Sequence, residues 1–210
     1  MRKLAYASAV ASHSTPKGRF VLKIKVGVMG SAGGEMSKYA LEQSYLLGRA
    51  IAEKGCVLVT GGCPGLPLAA CKGANDAGGF TIGISPGIDI TEHVELYKSP
   101  TEYIDVLIFT GSGLMGREVI GVRSCDIIII VGGRSGTLGE FCIAYDEGKP
   151  IGVLVGSGGV TDRLPDIVES IKKETGSEII YDNDPYCLID RTLEVYERVK
   201  NKPRHYDASG

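Results

Sequence analysis

Asp126-Ile127-Ile128-Ile129-Ile130-Val131-Gly132-Gly133-Arg134-Ser135-Gly136-Thr137-Leu138-Gly139-Glu140 carries the most structural information in this chain. A β-branched run that is apolar on both faces suits a central parallel strand covered by helices above and below, not a half-exposed antiparallel one. Glycines end the strand and lead straight into a segment of helical composition, so a buried strand delivers a loop onto a helix start. Thr137 is expected as the N-cap, with Glu140 three residues later completing a capping box. A carboxylate in a first helical turn is favourable in any protein. The same geometry aims the amides of Gly133, Arg134, Ser135 and Gly136 at one point, where Arg134 adds a charge-assisted contact. Such a turn suits a phosphate or a ribose.

Working outward from residue 24, short β-branched runs alternate with longer amphipathic stretches, and glycines mark each switch. Strands are expected over 25–29, 57–60, 80–84, 106–110, 126–131, 151–155 and 178–181, and helices over 39–54, 67–77, 114–125, 137–147, 164–175 and 188–200. In the helix over 39–54, Ala40, Leu47, Ala50 and Ile51 share a face and Gly55 stands at the C-cap. Strand-helix alternation with right-handed crossovers gives one α/β domain, a doubly wound Rossmann-like parallel sheet with helices on both faces. The domain is expected over 24–200, after an N-terminal extension at 1–23 and before a frayed tail at 201–210.

Two further glycine turns follow strands. Gly27-Val28-Met29-Gly30-Ser31-Ala32-Gly33-Gly34 is a loose dinucleotide-like fingerprint, expected to open a helix and to offer the Ser31 hydroxyl as a donor. Thr60-Gly61-Gly62-Cys63-Pro64-Gly65-Leu66 follows the second strand, which no Asp or Glu closes to hold a ribose, so an ordinary nicotinamide dehydrogenase loses support. In open α/β sheets ligands gather at the carboxyl ends of the strands, where these turns lie.

The chain of 210 residues is long enough for one domain with a substantial core. Lys and Arg total 23 against 25 Asp and Glu. No large net field therefore draws it to nucleic acid or an anionic membrane, and a bound phosphate must be held locally. Cys56, Cys63, Cys71, Cys125, Cys142 and Cys187 include no CxxC pair and read as free thiols of a reducing, cytoplasmic compartment. His13, His93 and His205 are not at metal-ligand spacing with them, so no metal is expected. The first eleven residues resemble a signal peptide's charged head and apolar stretch, but Tyr6 and Ser8 keep them weakly apolar, and a loose extension is the reading. No apolar run approaches the ~20 residues of a membrane span.

At the third turn, Gly133, Gly136, Thr137 and Glu140 resemble the PGGxGTxxE signature of the LONELY GUY (LOG) or lysine decarboxylase-like superfamily. Arg117 falls where that family's active-site arginine lies relative to Asp126, and 60–66 looks like its GGG-x-x-GLM segment. The resemblance covers roughly residues 24 to 156. Through 25–30 and 75–84 it is most similar to the branch with Rossmann-type nucleotide-binding proteins and molybdenum cofactor carrier proteins. There are departures: Gly132 replaces the family proline, Arg134 a glycine, Gly139 the first residue of a Glu-Glu pair, and Glu118 stands where the enzymes have lysine.

The resemblance implies two readings. In the first, a LOG-type phosphoribohydrolase cleaves the N-glycosidic bond of a nucleoside 5′-monophosphate, with Arg117 and Glu140 catalytic. In the second, the protein is a non-catalytic carrier or sensor of a nucleotide or a phosphorylated pterin such as molybdenum cofactor. Both place ligand or phosphate at Gly30, Ser31, Gly61, Gly62, Gly65, Gly133, Arg134, Ser135, Gly136 and Thr137. Neither requires a resident cofactor, nucleic acid or membrane, and neither is a pyridoxal-type lysine decarboxylase. The departures weigh against hydrolysis more than against binding. The resemblance also implies a homodimer or higher homo-oligomer, for which Tyr39, Tyr45 and Phe141 are available if the core does not take them.

Overall fold

The computed structural model describes residues 22–200. The expected extension at 1–23 and tail at 201–210 therefore lie almost entirely outside the described residues. Seven strands run β1 (Lys25–Gly30), β2 (Val57–Thr60), β3 (Phe80–Ser85), β4 (Val106–Phe109), β5 (Ile127–Val131), β6 (Ile151–Leu154) and β7 (Ile179–Asp182). Between and after them lie α1 (Lys38–Glu53), α2 (Leu66–Asp76), α3 (Gly113–Arg123), α4 (Ser135–Asp146), α5 (Leu164–Ile171) and α6 (Pro185–Val199). Every strand pairing is parallel, and the order is β4-β3-β2-β1-β5-β6-β7. The expected doubly wound α/β sheet is what forms. The order reverses between β1 and β5, whose register runs from Val26 opposite Ile127 to Gly30 opposite Val131. That places a crevice beyond Gly30 and Val131.

β5 shows why the sheet needs two helical layers. Ile127, Ile129 and Val131 join one core with Leu47, Ile51 and Leu58, while Ile128 and Ile130 join another with Met29, Val59 and Phe141. All five are at most 1% exposed, each contributing roughly 1.5–3 kcal/mol of burial. Phe141 lies in the second core, its ring stacked on Tyr145. Tyr39 is exposed, and the Tyr45 hydroxyl donates to Asp76.

The differences from the expected elements have local causes. α5 stops at Ile171 and not at 175, because Lys172 turns left-handed at φ 49°. α6 begins three residues early: the Asp184 carboxylate accepts from the Tyr186 and Cys187 amides, and Pro185 sits at the first helical position. A π-helical turn (Glu92–Leu96) and a 3₁₀ turn (Gly159–Arg163) were not expected. The edge strand β4 leaves Val106, Ile108 and Phe109 about two-fifths exposed, and Ile88, Leu96, Leu114 and Met115 are exposed as well. Cys56, Cys71 and Cys125 are buried, Cys142 and Cys187 exposed, and all six thiols are free. Among the described residues, no helix is long and apolar enough to cross a membrane.

Candidate functional site

A cavity of about 310 Å³ opens at the switch point between β1 and β5. Of the residues singled out from sequence, Gly30, Ser31, Gly61, Arg117, Arg134, Ser135, Gly136, Thr137 and Glu140 line it, while Gly62, Gly65 and Gly133 do not. These three shape the loops instead. Gly65, at φ 78°, lets the second turn close on the first, where a Cβ would meet the Ser31 carbonyl oxygen at 2.3 Å. Gly133, at φ 101°, lies so close to Thr137 that a Cβ would stand 2.4 Å from its Cβ. The Gly62 amide donates to Thr60 Oγ1 inside its own turn.

The capping-box expectation is overturned. α4 begins at Ser135, its N-cap is Arg134 in a non-helical conformation, and no side chain caps it. Thr137 therefore lies inside the first turn and Glu140 in the second. The backbone settles the matter: Val160 N–H and the Thr161 hydroxyl donate to the Gly133 and Gly132 carbonyls, and Gly132 N–H donates to Ser157 Oγ. This clamp from the β6–α5 segment fixes where the loop ends and the helix starts. It leaves the amides of Ser135, Gly136 and Thr137 with no intrahelical acceptor at the cavity. Ser31 also departs from expectation, because its hydroxyl donates to the Gly33 carbonyl at 2.8 Å and is engaged within its own turn.

The charged side chains converge from three elements. Arg117, 9% exposed, reaches from α3 to the β2 turn, where its Nη1 occupies the space a Cβ on Gly61 would take. Its Nε is buried without a hydrogen-bond partner. Arg134 crosses the mouth to the β1 turn, its Nη2 3.5 Å from where a Cβ on Gly33 would stand. Glu118 and Glu140 are each 7% exposed. Burial pushes the Glu140 carboxyl up to about 7, Arg117 opposing and Glu118 adding to the rise. Burial likewise raises Glu118, with Arg117 opposing, and raises the Cys63 thiol. Such displaced acids concentrate at functional sites.

Sequence reasoning missed Glu118 as a lining residue, together with Val28, Met29, Ala32, Cys63, Pro67 and Leu114. A signal for two of them was present. Leu114, Arg117 and Glu118 stand at i, i+3 and i+4, so the helical stripe that presents Arg117 presents its neighbours as well.

The model of the SLOG cluster4 family matches residues 23–189. The chain belongs to that family. The LOG-type resemblance read at the third turn thus holds for this SLOG cluster4 member. An uncharacterised protein of Archaeoglobus fulgidus is 37% identical over 166 residues, covering 79% of this chain and 95% of its own. The fold is similar to that of the molybdenum cofactor binding protein of Rippkaea orientalis, at 29% identity and a TM-score of 0.68, covering 84% of this chain and 99% of that one. It is equally similar to the molybdenum cofactor carrier protein of Chlamydomonas reinhardtii, at 27% identity and TM-score 0.68, with the same coverages.

Proposed function

We propose that this protein binds a small phosphorylated ligand, nucleotide-like or pterin-like, in the cavity between β1 and β5, and that it acts as a carrier or sensor. The observation that carries the reading is the uncapped amino end of α4 facing the cavity, with Arg134 at the mouth and the partnerless Arg117 Nε at the side. A phosphate has acceptor oxygens enough for such amides and for an arginine fork, and the helix end favours its charge. The similarity to molybdenum cofactor binding and carrier proteins supports the carrier form of the reading at family level. Glu118 in place of the enzymes' lysine and Gly139 in place of an acidic residue are consistent with it.

One observation favours hydrolysis as a second reading: the Glu140 carboxyl, pushed up to about 7, exchanges its proton near neutral pH beside Arg117. A carboxyl so poised can act as acid or base at a glycosidic carbon. The test is a thermal-shift screen of nucleoside mono-, di- and triphosphates and phosphorylated pterins, with free-base release followed in the same samples. A ligand at a hundred times its Kd stabilises by about 2.7 kcal/mol. Stabilisation without release is the expected result. Release that disappears in Glu140→Gln would replace the carrier with the hydrolase, and no stabilisation by any of these compounds would discard both.

A further inference from the structure

Glu118 sits badly for a site that receives a phosphate on protein groups alone. It reaches from α3 to the flank of the first turns of α4, where Gly136 and Gly139 make room. Its Oε1 and Oε2 lie 2.9 and 3.0 Å from where Cβ atoms on those glycines would stand. The residue is 7% exposed, lines the cavity, and among the described residues receives no hydrogen bond and no ion pair from the protein. A carboxylate that faces the cavity with no protein donor is completed by water or by a group that enters with the ligand.

A phosphate on the amides of Ser135, Gly136 and Thr137 brings more negative charge to the turn that Glu118 flanks. Like charges repel far more strongly in a confined cavity than in bulk water. Arg117 does not settle the balance, since it already faces both Glu118 and Glu140, whose carboxyls stay raised in its presence. Arg134 lies on the opposite side, against Gly33 and Gly34.

A cation that shares one oxygen with Glu118 and another with the phosphate removes both difficulties. Magnesium is characteristically held by one or two carboxylates plus ligand phosphates, keeping several waters, and not by an all-protein cage. Among the described residues no group of three or more His, Cys, Asp or Glu could hold a metal alone, so such an ion would enter with its ligand. Cys63 also lines the cavity, but burial keeps its thiol protonated, which disfavours a soft metal.

We infer that Glu118 is the protein's ligand to a magnesium-like divalent cation that binds together with the phosphorylated ligand and bridges this carboxylate to the phosphate. The inference rests on the phosphorylated-ligand reading above. It is tested by calorimetric titration of the purified full chain with AMP, GMP and neopterin phosphate, each in millimolar magnesium and in EDTA, for wild type and Glu118→Gln. The expected result is binding of at least one probe about tenfold or more tighter with magnesium, and loss of that magnesium dependence in the variant. Circular dichroism of Glu118→Gln checks that it folds, and Glu118→Asp, which keeps the carboxylate, should retain part of the magnesium effect. Equal affinity in magnesium and EDTA for wild type would overturn the cation and leave the phosphorylated-ligand reading standing. Magnesium dependence that persists in a folded Glu118→Gln would overturn the assignment to Glu118. No binding of any probe in either condition would overturn both readings together.

Discussion

β1 and β5 flank the switch point, and both end in glycine-rich turns, yet the turns are built for different work. After β1 the chain runs from Gly30 to Lys38 before α1 begins, and that helix is closed by its own residue, the Ser37 hydroxyl accepting from the Ala40 amide at 3.0 Å. After β5 only Gly132, Gly133 and Arg134 intervene, and α4 starts at the cavity with no side chain over its amides. Both segments carry the glycine pattern associated with phosphate turns. The difference is whether the helix end faces the crevice, and that depends on loop length and on what clamps the loop.

The glycines of the two turns differ most in what a side chain there would meet. Gly133→Ala places a Cβ 2.4 Å from the Cβ of Thr137 at φ 101°, whereas Gly34→Ala, at φ 88°, meets only the Arg134 guanidinium at 3.7 Å. Urea unfolding should show Gly133→Ala destabilised by about 3 kcal/mol or more, from strain and collision together, and Gly34→Ala by only about 1 kcal/mol. Equal losses would mean that the two turns are held alike.

The next largest effect concerns the buried acid on α4. The folded protein keeps the Glu140 proton to about pH 7, above the ordinary value of 4.5, so between these the folded state binds more protons than the unfolded chain. The resulting destabilisation is absent below about pH 4.5, grows as pH rises, and is complete above about pH 7. Glu140→Gln should therefore be more stable than wild type by up to about 3 kcal/mol at about pH 8, with the charge-linked gain gone at about pH 4. Denaturant melts at the two pH values check this, and a gain that does not depend on pH would remove the buried carboxylate as its source.

The smallest effect is at the other helix. Ser37→Ala should cost about 1 kcal/mol through the lost cap and leave ligand affinity unchanged. A tenfold loss of affinity in that variant would bring the end of α1 into the site and erase the distinction between the turns.

Much of this was legible in the sequence because it is written in short-range patterns. The run 127–131 shows both-face burial in five letters, and glycines at strand ends mark the crevice, since only close backbone approach or a positive φ demands them there. Arg117 and Glu140 were found through a motif, and both line the cavity. The cap of α6 was equally local, in Asp184-Pro185, and was passed over.

The remainder was decided at a distance. The start of α4 is set by Ser157, Val160 and Thr161, which hold the Gly132–Gly133 backbone from another loop, and no reading of 132–140 alone contains them. Gly62 and Gly65 looked like ligand turns and serve loop contacts, a choice that depends on what lies across from each glycine. Burial of Glu118 is also a tertiary outcome, produced by α3 lying against the glycine flank of α4. By itself the sequence determined the alternation of strands and helices, the sheet they build and the edge where the crevice opens, because side-chain period and turn chemistry are properties of neighbours along the chain. Which groups meet in the crevice, and with what charge, follows from long-range packing, because burial and electrostatics belong to residues brought together from α3, β2 and α4.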